Sequence, residues 1–321
     1  MAEALKIKPL IITPSDADSE RVFEDLSSLG LNCSVLPSRD YCFLSSASSS
    51  HEYEHKRIGT LSKILERDFG VVVASAEAAL SKTVPPAVLK QRCWTLEVGQ
   101  EKAIEDIAEL LISSGYTRSE QVDGAGQFSV RGSILDVFSP NMSSPCRIDF
   151  FGDEIDSISC FDALTQRRTE EIKAIKIFPT IENAPENMEQ FLNNLEKLSN
   201  KKNISETAKK RILEDLERAK NGANIAYDAY LDLCFGETAT VFDYFKELQN
   251  SGDTTAFFVF DTSAVNDSIN SFLKLHFEQI KALLEEGVLP PGFKSVYLDG
   301  TQFSSLLTNE NTVFCDSFSN Y

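Results

Sequence analysis

The stretch VDGAGQFSVRGSILDVFSP, residues 122–140, decides how the middle of this chain is read. Gly124 and Gly126 stand one residue apart, and alternating apolar residues follow with Arg131 in their midst. A phosphate loop of Walker type needs Gly-x-x-x-x-Gly-Lys-Ser/Thr between a strand and a helix, so that backbone amides and a lysine converge on the phosphates. None of the fifteen glycines is followed by lysine. A dinucleotide loop opens a helix, whereas Gly124-Ala125-Gly126 precedes a strand pattern, so these glycines read as turn residues. With one continuous strand and no bulge at Gly132, period two places Phe128, Val130, Ile134 and Phe138 on one face. Ser129, Arg131 and Ser133 fall on the other. An arginine presented from a sheet can grip a carboxylate through its planar fork, or it can be an ordinary solvated strand residue. The residues alone leave both readings open.

Upstream, short apolar runs alternate with helical patterns: PLIIT, a helix from Ser15 to Leu29, CSVLP, a helix through Ile58, Leu61 and Leu65, then GVVVAS. That is βαβαβ grammar, the mark of a parallel sheet. Ser15 is the expected N-cap of the first helix, Val22, Phe23, Leu26 and Leu29 its apolar face, and Gly30 its stop. After a further helix ending at Gly115, FSVRGSILDVF, CRIDFF, EIDSISCFD and IKAIKIF read as an antiparallel sheet. From Glu182 the pattern turns helical, with one stripe of Met188, Phe191, Leu195 and Leu198 and another of Ala208, Leu213 and Leu216. α/β grammar then returns: AFFVFD as a strand, a helix from about Asn266 to Glu286 stopped by Gly287, and NTVFCDSF as a last strand. The economical architecture is an α/β domain in two segments, 1–92 and 182–321, interrupted by an antiparallel β insert at 93–181.

Across the 321 residues, 49 Asp and Glu against 31 Lys and Arg give a net charge of -18, which disfavours sequence-independent binding to phosphate backbones. The seven cysteines are scattered without metal-ligand spacing and read as reduced thiols. No run of about 18 apolar residues occurs and MAEALKIKPLIITPS has no signal-type apolar region, so the expectation is a cytoplasmic protein.

FSVRGSILDVFSP, followed by PCRIDFFGDEIDSISCFDALTQRR at 145–168, resembles the inserted domain shared by the excision-repair protein UvrB and the transcription-repair coupling factors. The TQRR ending is closer to the coupling factors. The resemblance extends back through SSGYTRSEQVDG to PLIITPS, and forward through ETATVFDYF to the last strand. It implies a degenerate P-loop NTPase-like (Rossmann-like) α/β domain, as in the first domain of UvrB, carrying an insert that docks UvrA. In this family arginines around the hairpin make that contact. Residue by residue, they fall on Arg118, from the GY-x-R motif, and Arg131, from VRG, with Phe128 beside them. Ser129 stands where UvrB carries a further arginine.

The same resemblance sets expectations about catalysis. UvrB pairs a Walker A loop with a Walker B strand ending in Asp-Glu, whose carboxylates manage magnesium and the attacking water. Here AFFVFDT ends in Asp261-Thr262, a degenerate Walker B, and MAEALKIK stands upstream of PLIITPS where a Walker A loop belongs. The module is therefore expected to hydrolyse no ATP and to hold no cofactor or metal. The long DNA-threading hairpin of UvrB has no counterpart, because only YCFLSSASSS separates CSVLP from the next helix. The resemblance implies UvrA as partner and the remaining domains of a parent translocase as an autoinhibitory surface. RNA polymerase and DNA would be met only through those other domains. The competing enzymatic readings are a divergent UvrB-type ATPase and a zinc peptidase. The second rests on HEYEH, residues 51–55, which fits His-Glu-x-x-His with Glu52 as general base. Its flanks, Ser48-Ser49-Ser50 and Lys56-Arg57, favour a solvated helix start instead.

Overall fold

The computed structural model describes residues 7–39, 41, 43, 52–202, 204–223, 225–290, 292–308 and 311–316. In chain order it begins with β1 (Ile7–Thr13), α1 (Asp16–Ser28), β2 (Cys33–Leu36), α2 (Glu52–Glu66), β3 (Val71–Ser75), α3 (Ala76–Leu80), α4 (Pro86–Gln91), β4 (Trp94–Glu97) and α5 (Ile104–Ser113). Strands follow: β5 (Thr117–Arg118), β6 (Gln127–Arg131), β7 (Ile134–Val137), β8 (Cys146–Phe151), β9 (Glu154–Phe161), β10 (Arg168–Ile172) and β11 (Ala174–Ile177). The last part holds α6 (Met188–Ser199), α7 (Glu206–Lys220), a 3-10 turn at Tyr227–Tyr230, α8 (Leu231–Cys234), α9 (Val241–Asn250), β12 (Thr254–Phe260), α10 (Thr262–Glu285), α11 (Gly300–Leu307) and β13 (Thr312–Cys315).

Contacts divide the chain into two compact units. One comprises Met1–Ser50, Asp68–Pro85 and Asn183–Tyr321, the other His51–Arg67 and Pro86–Glu182. Helix α2 groups with the second unit, although the strand-helix-strand pattern around it belongs to the first.

The first unit is built on a parallel sheet with strand order β13-β12-β1-β3-β2 among the described residues. Strand β1 lies at its centre, with Leu10 beside both Phe257 of β12 and Val72 of β3. The apolar side chains of β1 serve both faces. Ile11, with Val71 and Val73, packs under Val22 and Leu26 of α1. Phe257 turns to the opposite face and meets Phe242 and Phe245 of α9 edge-to-face, at ring separations of 5.3 and 5.9 Å. Each such fully buried side chain contributes about 1.5–3 kcal/mol. Ser15 caps α1, accepting from the Asp18 amide. Leu29 is exposed at the C-cap instead of completing the apolar face, and in α7 the buried stripe runs through Ala208, Ile212 and Leu216, leaving Leu213 outside. Helix α10 starts four residues earlier than the apolar period suggests, because Asp261 caps it.

The second unit carries a six-stranded sheet ordered β10-β9-β8-β7-β6-β5. Its core face, with Phe128, Leu135, Val137, Ile148 and Ile158, packs on Ile107 and Leu111 of α5. Three features depart from the sequence expectation. The stretch 127–137 is a hairpin and not one strand, with Arg131 paired to Ile134 and Gly132-Ser133 as its two-residue turn. Gly132 has φ +60°, and a glycine at the first turn position is what a type II′ hairpin requires. The turn reverses the phase, so Ile134 shares the face of Arg131 while Leu135 and Val137 face the core. Strand β5 runs parallel to β6, so the sheet is mixed. Finally, IKAIKIF is split: β10 stays in the sheet, and β11 pairs with β4 in a separate two-stranded ribbon.

Candidate functional site

The face of the six-stranded sheet turned away from the core is polar, because period two brings the charged residues of adjacent strands into register. Asp136 of β7 lies between Ser129 of β6 and Arg147 of β8. Its carboxylate is 0% exposed and receives the guanidinium of Arg147 through two bonds, Nε to Oδ1 at 2.7 Å and Nη2 to Oδ2 at 2.8 Å. Nη2 of Arg131 donates to the same Oδ2 at 2.6 Å. The Arg147 side chain is 14% exposed, stacks on the Phe161 ring at 4.6 Å, and has its pKa raised chiefly by the bond to Asp136. Along the same strand, Asp149 takes both terminal nitrogens of Arg168 at 2.6 and 2.7 Å and the Ser157 hydroxyl at 2.9 Å. The Arg168 guanidinium holds the Asp149 carboxyl below its ordinary range.

Arg131 sits at the open rim of this network, beside the hairpin turn, with its side chain 49% exposed. It is half anchored: one nitrogen is tied to a buried carboxylate, and about half of the side chain remains open to solvent. An arginine held this way has lost part of its side-chain entropy before any partner arrives.

The other residues expected at the site are placed differently. Phe128 is 0% exposed in the core, and Ser129 is 3% exposed and donates to the Glu120 carbonyl at 3.1 Å. Neither offers side-chain surface to a partner: Phe128 lies in the core, and Ser129 is covered on the polar face beside Asp136. Arg118 is exposed on the edge strand β5, where its register partner is Phe128. Arg131 lies an odd number of residues beyond Phe128, so the two arginines leave opposite faces of the sheet instead of forming one pair of guanidinium groups. Asp136, Arg147, Asp149 and Arg168 were not singled out from the sequence. The available signal was a charged residue in each of the apolar strands ILDV and CRIDFF, opposite in sign at registered positions.

His51 of HEYEH lies outside the described residues. Of the others, Glu52 pairs with Lys56 at 2.9 Å, Glu54 accepts the Glu182 amide at 2.8 Å, and His55 packs on Gly126. A Cβ at Gly126 would come within 2.5 Å of His55 Cε1, so only glycine fits there. A cleft of about 520 Å³ beside them is lined by Glu52, His55, Lys56, Ala125, Pro140 and Met142. Among the described residues no three of His, Cys, Asp and Glu are grouped to hold a metal ion.

In the parallel sheet, the carboxyl ends of β1 and β12 open onto the starts of α1 and α10, the place where doubly wound folds bind phosphates. Here side chains of the chain itself use those amides. Ser15 takes the Asp18 amide, Asp261 takes that of Ala264 at 3.2 Å, and Asp316 takes that of Thr262 at 2.9 Å. Asp261 adopts a left-handed conformation, φ +58°, to make its cap.

Residues 94–182, which hold the polar face and the hairpin, match the family model of the UvrB interaction domain. The chain carries a UvrB interaction domain. Over 294 residues it is 29% identical to the transcription-repair-coupling factor of Bacillus subtilis, covering 87% of this chain and 24% of that protein. It is 40% identical over 114 residues to the coupling factor of Myxococcus xanthus, covering 36% of this chain and 10% of that one. It is 31% identical over 182 residues to UvrABC system protein B of Thermosipho africanus, covering 57% and 25%. The chain thus spans about a quarter or less of the length of the curated relatives it matches. No helix among the described residues is long and apolar enough to cross a membrane.

Proposed function

We propose that this chain is a non-catalytic docking module of a transcription-repair coupling factor. Its UvrB interaction domain binds UvrA, the damage-recognition protein of nucleotide excision repair, and so brings repair to RNA polymerase stalled at a lesion. The ATP-driven motor that displaces polymerase belongs to other parts of such a protein. One observation carries this reading: Arg131, at the rim of a rigid hairpin, is pre-oriented by buried Asp136 with half of its side chain still open to a partner carboxylate. Arg118, on the other face at the sheet edge, serves as a separate contact. Asp261-Thr262 stands where a Walker B strand would end in Asp-Glu, which supports docking without nucleotide turnover.

The test is titration of purified UvrA against the wild-type chain and against Arg131→Ala. A drop in affinity of about tenfold or more is expected, the mark of an interface anchor. Equal affinity rejects the role of Arg131. Measurable ATP hydrolysis by the isolated chain would favour a divergent UvrB-type ATPase instead.

A further inference from the structure

Strands β8 and β9 set Cys146 opposite Cys160, with the two sulfurs 3.6 Å apart. The Phe161 amide donates to the Pro145 carbonyl at 2.9 Å, which makes that neighbouring pair the hydrogen-bonded one. Hydrogen-bonded and non-hydrogen-bonded pairs alternate along an antiparallel ladder. Cys146 and Cys160 therefore occupy a non-hydrogen-bonded position, the closer kind, with Cα atoms about 4.5 Å apart. A disulfide spans Cα separations of about 4.4–6.8 Å, so the bond can close by side-chain rotation with both strands in place.

The two thiols differ in access. Cys146 is buried, and burial beside a second sulfur pushes its pKa up. Cys160 is partly exposed at the margin of the core. Both point to the core side, since Cys146 is in register with Val137, and neither takes part in the Asp136 network on the other face.

We propose that Cys146 and Cys160 form a peroxide-reactive dithiol that converts reversibly to a cross-strand disulfide. The Cys160 thiol gives up its proton and the thiolate attacks one oxygen of hydrogen peroxide, forming an S–O bond as the O–O bond breaks, and the departing hydroxide takes up that proton and leaves as water. The Cys146 sulfur then attacks the resulting sulfenic acid, forming the S–S bond as the S–O bond breaks. The second oxygen leaves as water with the Cys146 proton. Two thiols are oxidised by two electrons in all, and one peroxide is reduced to two waters. The product clamps β8 to β9 one residue from Arg147 and Ser159.

The experiment treats the full chain with hydrogen peroxide, blocks remaining thiols, digests without reductant and maps the peptides by mass spectrometry. The expected result is a linked pair of peptides carrying Cys146 and Cys160, two hydrogens lighter than their sum and separated by dithiothreitol. Because Cys160→Ser can disturb the core, a second variant with Cys33, Cys93 and Cys315 replaced by serine is tested, and it is expected to form the same link at the same rate. Over-oxidation of Cys160 without the link, linkage of either residue chiefly to another cysteine, or two thiols that stay reduced while Cys33, Cys93 or Cys315 oxidise would each overturn the proposal.

Discussion

Replacing Asp136 by alanine removes the carboxylate on which the polar face is built. The lost bonds are three, at 2.6, 2.7 and 2.8 Å, and their energies are unequal because the donors differ in exposure. Arg131 is 49% exposed, and its ion pair is screened by water, so its share is about 0–1 kcal/mol. Arg147 is 14% exposed and would be left as a largely buried cation with no carboxylate in its grip and Arg168 nearby. Breaking one side of such a pair costs about 3–5 kcal/mol. At about 2–4 °C per kcal/mol, the melting midpoint should fall by about 6–20 °C. Arg131→Ala, by the same reasoning, should cost about 1 kcal/mol or less. Urea titration of the three proteins, with circular dichroism as the probe, separates the cases. If Asp136→Ala lies within about 1 kcal/mol of wild type, or Arg131→Ala is the more damaging of the two, the account of which arginine the carboxylate holds is refuted.

Other parts of the molecule give independent tests. Arg57 and Glu182 are buried and paired through Nε–Oε2 at 2.9 Å and Nη2–Oε1 at 3.2 Å, so Arg57→Met alone should cost about 3–5 kcal/mol. The double change Arg57→Met with Glu182→Leu should recover part of that loss, and a double mutant worse than the sum of the singles in denaturant melts would contradict the pairing. The Asp149 carboxyl is held below its ordinary 3.8 chiefly by Arg168, so the stability this pair contributes is present above that value and is lost as pH falls through the lower folded pKa. Arg168→Met should therefore be less stable than wild type at neutral pH, and the gap should close in acid; a gap that widens below pH 3.8 would reverse the sign. Gly132→Ala meets no atom within 4 Å but must adopt φ +60°, which predicts a loss of about 1–2 kcal/mol by chemical denaturation, whereas unchanged or raised stability would show that the turn does not need glycine.

Much of the fold can be read from local pattern. Runs such as LIIT at 10–13 and VVVAS at 71–75 are apolar on both faces, which is what a parallel strand covered by helices on both sides demands. Ser15, Gly30 and Gly287 punctuate their helices as their chemistry dictates. The motifs around Arg118 and Arg131 carry the likeness that the family model and the relatives bear out at the level of the domain. All of this is written in spacing along the chain, because helix and strand periods are properties of the backbone within a few residues.

Tertiary structure decided the rest, and the reason is pairing across distance. Which face Ile134 takes depends on whether Gly132 lies within a strand or turns between two, and a one-residue change of phase moves every later side chain to the other side. Arg131 is an anchored donor because Asp136 is beside it in the folded hairpin, and Asp136 is buried because Arg147 arrives from a third strand. Phe128 looked like contact surface and is core, because α5 covers it. Sequence composition by itself determined what kinds of elements this chain makes; register, which closes only when strands far apart in the chain meet, determined what each arginine and each cysteine can do.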